Sequence, residues 1–190
     1  MFHIAAVLVL IIFYGIYFGK MYLQKKQGIK THQIGTRKEK EIHRIELLMS
    51  IATFGIVAVQ LISIILNLSM LPSNARFTGF CVAMLGDLFF GIAVYTMKDN
   101  WRAGIPAQDK TAFVSEGIYA YSRNPAFLGF DLMYIGMLLL YFNWLLLGFT
   151  FFAMLMLHLQ ILQEEKYLVT IFGKEYSDYK KKVFRYLGRR

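Results

Sequence analysis

The chain has 190 residues, 57% of them hydrophobic, with a formal net charge of +9, and its mean hydropathy is +0.46. A soluble domain of this size would have to expose such apolar runs to water, so composition excludes an ordinary soluble fold and predicts an integral membrane protein. The basic residues cluster beside apolar segments without any nucleic-acid motif, which argues for an anionic bilayer surface as their partner and against nucleic acid.

The first apolar run, 4–22, has no basic leader and no small-residue cleavage pattern, so it reads as a retained span. Further spans are expected at 47–71, 77–97, 126–142 and 144–162, the fourth being the shortest. Eight Lys/Arg lie in 20–44, at the end of the first span and before the second, one lies between the second and third, four between the third and fourth, and eight after the fifth. By the positive-inside rule this alternation puts the amino terminus outside and the carboxyl terminus in the cytoplasm. The fourth and fifth spans meet at Asn143, which leaves room only for a tight helical hairpin.

From Trp144 the next strong helix stop is Gly173, so the fifth helix is expected to run about 40 Å, beyond a hydrocarbon core of about 30 Å. Beyond it, Tyr176, Tyr179, Val183 and Tyr186 fall on one side of an amphipathic helix predicted over 175–186. The fold class is therefore an all-α integral membrane protein with about five transmembrane helices and a cytoplasmic amphipathic C-terminal helix. Residues 1–97 supply the amino-terminal spans and a basic loop, and 98–190 the half that carries chemistry.

Two features of that second half suit a ligand. Asn124–Pro125 reads as an N-cap followed by Pro at the first helical position, and a helix N-terminus beside Arg123 favours an anionic group. Gln160, Glu164 and Tyr167 share one face of the projecting fifth helix, with Glu165 about 100° away. These acids either pair with Arg123 or Lys166, or hold a cationic or hydroxyl-bearing ligand. Asp87 is an intramembrane carboxylate for which Gln60 or Asn67 is the expected partner, and Asp131, two turns into the fourth span, is expected to face the same pocket as Asn124. The lone Cys81 reads as a packing residue, and His3, His32, His43 and His158 have no ligand spacing, so no metal is expected.

The loop before the fourth span, the Arg123–Asn124–Pro125 corner, Gln160–Glu164–Glu165 and the closing stretch 172–183 together resemble the isoprenylcysteine carboxyl methyltransferase family. The resemblance covers the carboxyl-terminal half. It implies a membrane methyltransferase that takes S-adenosyl-L-methionine in a cytoplasm-facing pocket closed by the tail, acting on a lipophilic small molecule, lipid or prenylated group. It implies a cofactor site lined by Thr111, Ala112, Phe113, Val114, Gly117, Tyr119, Asn124, Pro125, Ala126, Phe127 and Glu164, with Arg123, Asn124 and Glu164 at the catalytic centre and Gln160 and Asp131 toward the substrate. The chain departs from the family where Asn124 replaces a histidine, Phe127 a tyrosine, and Gln160 a substrate-contacting arginine. Two other readings fit the residues: a membrane reductase using NADPH, of the sterol-reductase-like kind, and a non-catalytic membrane protein.

Overall fold

A computed structural model describes residues 1–34, 40–105 and 111–190. Residues 106–110 of the loop before the fourth predicted span lie outside that set, as do 35–39 of the first basic loop. The described chain is built from helices: α1 Phe2–Lys26, α2 Lys40–Ile65, α3 Ser73–Met97, α4 Pro125–Leu140 and α5 Trp144–Lys182, with short 3-10 turns at Lys98–Asn100 and Gly117–Ala120. Four of these helices are long and apolar enough to cross a membrane, and α4 is a shorter apolar helix of 10–17 residues. The protein is thus an integral membrane protein.

Apolar run length located the helices but not their ends. Backbone hydrogen bonding does not stop where hydrophobicity stops, so α2 starts at Lys40, ahead of the expected position 47. It also ends sooner, at Ile65, because Asn67 adopts the left-handed conformation (φ 51°) that closes a helix.

The helices pack in two pairs, α3 with α4 and α2 with α5, while α1 leans on α3 and hardly touches α2. The first pair is closed by small residues. A Cβ on Gly136 would land on the backbone of Ala83, and one on Gly86 would lie 2.5 Å from the Met133 nitrogen, so α3 and α4 meet backbone to backbone. Aromatic packing ties α1 to them: Phe13 lies 4.6 Å from both Phe90 and Phe130 by ring centroid. Cys81 is exposed on α3 and is not a packing residue.

One end of the bundle is fastened by Arg76, which donates to the Leu140 carbonyl at 2.8 Å and lies over the rings of Phe2 and Tyr141. At the same end Asn143 caps α5, accepting from the Leu146 N–H at 2.9 Å, and donates to Ser63 Oγ at 2.9 Å. The expected tight turn is there, yet α4 packs chiefly on α3 and not along α5. The other end carries the loops. Residues 31–33 pair with Ala103, and Lys20 meets Asp99 at 3.5 Å.

Gly173, with φ 54°, breaks α5 where the sequence placed a stop. The segment after it is helical only to Lys182, short of the predicted 186. Residues 183–190 instead turn back on themselves: Val183 bridges Arg189, and Gly188 takes φ 117°, a conformation natural to glycine.

Neither expected partner of Asp87 reaches it. Its two carboxylate oxygens and both polar atoms of the buried Gln60 are without hydrogen-bond partners among the described residues, while Asn67 accepts from Arg76 at the bundle's far end.

Candidate functional site

The corner before α4 is held by a carboxylate 41 residues downstream in sequence. Glu165 is 2% exposed and accepts from Arg123 at 2.9 Å, from Arg185 in bidentate fashion at 3.1 and 3.1 Å, and from Asn124 Nδ2 at 3.3 Å. Lys180 stands further off, at 3.8 Å. Charge-assisted, two-pronged bonds of this kind fix orientation as well as adding energy. Backbone bonds complete the clasp: Arg123 N donates to the Phe184 carbonyl at 3.1 Å, and Gly188 N to the Tyr121 carbonyl at 2.7 Å. The tail therefore lies on the corner and covers it.

Asn124 occupies the N-cap position and Pro125 follows at N1, as the sequence implies, but the Asn124 side chain makes no capping bond. It is drawn instead to Glu165 and to the Arg185 carbonyl. The first-turn N–H groups of α4 thus lack a side-chain cap, which keeps the helix terminus attractive to an anion. Arg123 is 7% exposed and committed to Glu165 and to the Lys180 carbonyl. Of the two readings the sequence allowed for the acidic pair, Glu165 takes the structural one.

Glu164 is not drawn into this clasp. Its hydrogen-bond partner is Gln160 Nε2, which donates to it at 3.2 Å, and no ion pair to Glu164 is present among the described residues. Gln160 and Glu164 sit with Ala126 and Phe127 in the wall of a cavity of about 240 Å³, otherwise mostly apolar and aromatic. The cavity reaches between α1 and α2, where Phe18 and Phe54 line it while 59% and 78% exposed.

Thr111, Ala112, Phe113, Val114, Gly117 and Tyr119, like Asn124 and Pro125, are not among the residues lining that cavity; the loop they form packs against the tail. Phe113 packs on Phe172, Tyr176 and Tyr179 at centroid distances of 5.3, 5.9 and 5.2 Å. Thr111 and Val114 flank it half-buried, and Ala112 N donates to Asn100 Oδ1 at 2.7 Å. Gly117 opens the 3-10 turn with φ 58°, and a Cβ there would lie 3.0 Å from the Thr96 methyl, so its role is conformational. Tyr119 is buried, and its phenol is held above the ordinary tyrosine range by that burial, with Tyr179 and Glu164 adding to the effect.

Tyr179 ties the tail to the loop, its hydroxyl donating to the Tyr119 carbonyl at 2.6 Å. Tyr179→Phe is expected to cost about 1 kcal/mol, seen as a lower thermal midpoint and faster proteolysis of the tail. An unchanged midpoint would mean that the bond does not hold the loop.

Asp131 does not line the cavity; it is buried toward Tyr134 and Tyr186, and Tyr186 Oη lies 2.7 Å from His158 Nδ1. Sequence reasoning put Glu165 off the ligand-facing side and did not find Arg185. The signal available was Arg123 beside a membrane boundary, for which the neighbouring acids Glu164 and Glu165 were both open as partners.

Residues 78–170 match the model of the isoprenylcysteine carboxyl methyltransferase (ICMT) family. Among curated proteins, the chain is 32% identical over 122 residues to the protein-S-isoprenylcysteine O-methyltransferase of Saccharomyces cerevisiae, covering 63% of this chain and 51% of that one. It is 28% identical over 108 residues to that of Tribolium castaneum, with 55% and 38% covered, and 39% identical over 71 residues to that of Schizosaccharomyces pombe, with 37% and 30% covered. The chain spans about half the length, or less, of these relatives. The matched region runs from α3 through the corner to Glu164 and Glu165, which are the elements that build the site, and over that region the chain is similar to the isoprenylcysteine carboxyl methyltransferase family.

Proposed function

We propose that the protein is an S-adenosyl-L-methionine-dependent methyltransferase that acts on a lipophilic acceptor at the cytoplasmic face of a membrane. The observation that carries this reading is Glu164, an acidic side chain in a cavity wall that makes no ion pair among the described residues and is bonded to Gln160. Such a group asks for a positively charged ligand. The bound donor supplies an activated methyl group on a sulfonium centre.

The residues suit that donor. Glu164 takes its amino group, and the uncapped first turn of α4, at Ala126 and Phe127 after Pro125, faces its carboxylate. Aromatic faces at Phe113, Tyr176 and Tyr179 suit a cationic or flat heteroaromatic group. Thr111, Ala112, Val114 and Tyr119 complete that side of the site. Arg123 and Asn124 act as positioning residues through Glu165, and the tail over the corner keeps water from the reacting groups.

The acceptor arrives from the bilayer through the mouth between α1 and α2, beside Phe18 and Phe54. In this reading α4 counts as a fifth crossing, which puts the amino terminus outside and the loop-bearing end in the cytoplasm, in line with the distribution of Lys and Arg. A lipophilic acceptor and a water-soluble donor then meet at one membrane surface.

Glu164→Ala is expected to weaken binding of S-adenosylhomocysteine, the demethylated product, by at least about tenfold while leaving the fold intact. Thermal-shift titration of purified protein with that ligand and, separately, with NADPH checks it. Stabilisation by NADPH alone would replace this reading with a reductase.

A further inference from the structure

Two polar atoms in the cavity wall have no hydrogen-bond partner among the described residues, Tyr134 Oη and Gln160 Oε1; the hydroxyl can donate or accept, whereas the amide oxygen can only accept. Gln160 is 1% exposed, its Nε2 donates to Glu164 at 3.2 Å, and its Oε1 has no partner among the described residues. The bond to Glu164 decides which way the amide faces. The carbonyl oxygen is left as an acceptor in an otherwise mostly apolar wall.

A buried acceptor without a donor is costly, and a ligand that brings an N–H or O–H removes that cost. A carboxylate brings no donor. It would meet the negative end of the Gln160 carbonyl dipole, with Glu164 alongside. Two basic side chains lie in the same wall, His32 and Arg102; Arg102, on the loop after α3, donates from Nη1 to the carbonyls of Asp99 and Trp101 at 2.6 and 2.9 Å.

We infer that the cavity selects a lipophile whose head group carries a hydrogen-bond donor, an alcohol or an amine, with Gln160 Oε1 as the selecting atom, and discriminates against a carboxylate head. This rests on reading the cavity as the acceptor site. It concerns binding, and it makes Gln160 a specificity-determining residue. The mostly apolar remainder of the cavity takes the hydrocarbon part.

Geraniol, geranylamine and geranic acid share one ten-carbon skeleton and differ in the head, so they serve as probes. Saturation-transfer NMR with the full chain in lipid nanodiscs, with empty nanodiscs subtracted to remove partition into lipid, ranks their binding. The alcohol and the amine are expected to bind about tenfold more tightly than the acid. Gln160→Leu should erase that preference by weakening the alcohol and amine alone, and Gln160→Arg should reverse it in favour of the acid. Tightest binding of the acid by the unaltered protein, or a preference that survives Gln160→Leu, overturns the inference. Binding of S-adenosylhomocysteine is measured on the same samples. If that product fails to bind, the methyltransferase reading falls while the head-group selectivity is judged on its own data.

Discussion

Replacing Glu165 by glutamine is expected to be the most damaging single change in the loop-bearing half of the protein. The substitution keeps shape and one acceptor but leaves the buried Arg123, 7% exposed, without a counter-charge and strips Arg185 of its two-pronged partner. Breaking a buried pair from one side costs about 3–5 kcal/mol. Arg185 is 32% exposed and recovers part of its solvation, so the lower end of that range is expected. Loss of the clasp should also free residues 183–190 from Tyr121 and Arg123, exposing the tail to protease and weakening donor binding at a distance. Lys180→Ala is the matched control: its ammonium is 45% exposed and 3.8 Å from the carboxylate, so its removal should cost well under about 1 kcal/mol. Thermal unfolding with limited proteolysis reads both variants. If Glu165→Gln unfolds like the unaltered protein and keeps its tail protected, the corner is not held by this carboxylate.

A comparable loss is expected from Gly136→Leu or Gly86→Leu, for a reason rooted in backbone geometry. At these positions the first carbon of any side chain would occupy space held by the facing helix, at the backbone of Ala83 and at the Met133 nitrogen respectively. Backbone cannot rotate aside as a side chain does, so α3 and α4 must separate. Overpacking ordinarily costs about 1–3 kcal/mol, and this contact belongs at or above the top of that range. Separation would also carry the first turn of α4 away from Glu164 and Glu165. Gly148→Leu, placed where a Cβ meets nothing within 4 Å, should be tolerated. The yield of monodisperse protein and its thermal midpoint compare the three. Equal behaviour of Gly136→Leu and Gly148→Leu would show that close approach of α3 and α4 does not stabilise the fold.

That glycine contact illustrates what was legible in the sequence and what was not. The runs of apolar residues located all five helices, since nothing but a helix satisfies the backbone of a chain so apolar. Gly79, Ala83 and Gly86 on α3, and Gly129 and Gly136 on α4, follow the spacing of a close helix pair, and they were readable as one. Attention to the short loop at Asn143 instead favoured α4 against α5. Short connections bring helix ends together but do not decide which faces pack, and small residues decided that here.

The site divides in the same way. Gln160 and Glu164 were found because a spacing of four puts them on one helical face, and they do share a hydrogen bond and a cavity. The same periodicity puts Glu165 on a different face, where pairing with Arg123 is one of the two readings open to it and the one that is found. Its partners are Arg123 and Arg185, and Arg185 reaches it from 20 residues along the chain, beyond the left-handed break at Gly173 and the end of α5. A partner that arrives in this way leaves no periodic trace. Asp131, about two turns from Asn124, keeps the same face of α4 and lies with it toward the tail, near Tyr186, while Ala126, Phe127, Phe130 and Tyr134 are the α4 residues that line the cavity.

The central claim is that the layer formed by the α4 corner, Glu164 and the tail holds a methyl donor. Isothermal titration of the purified full chain with S-adenosylhomocysteine tests this most directly. The account predicts saturable binding of one ligand per chain, weakened at least about tenfold by Glu164→Ala and lost when Glu165→Gln releases the tail. Absence of saturable binding by folded, unaltered protein, or equal affinity in Glu164→Ala, would contradict it.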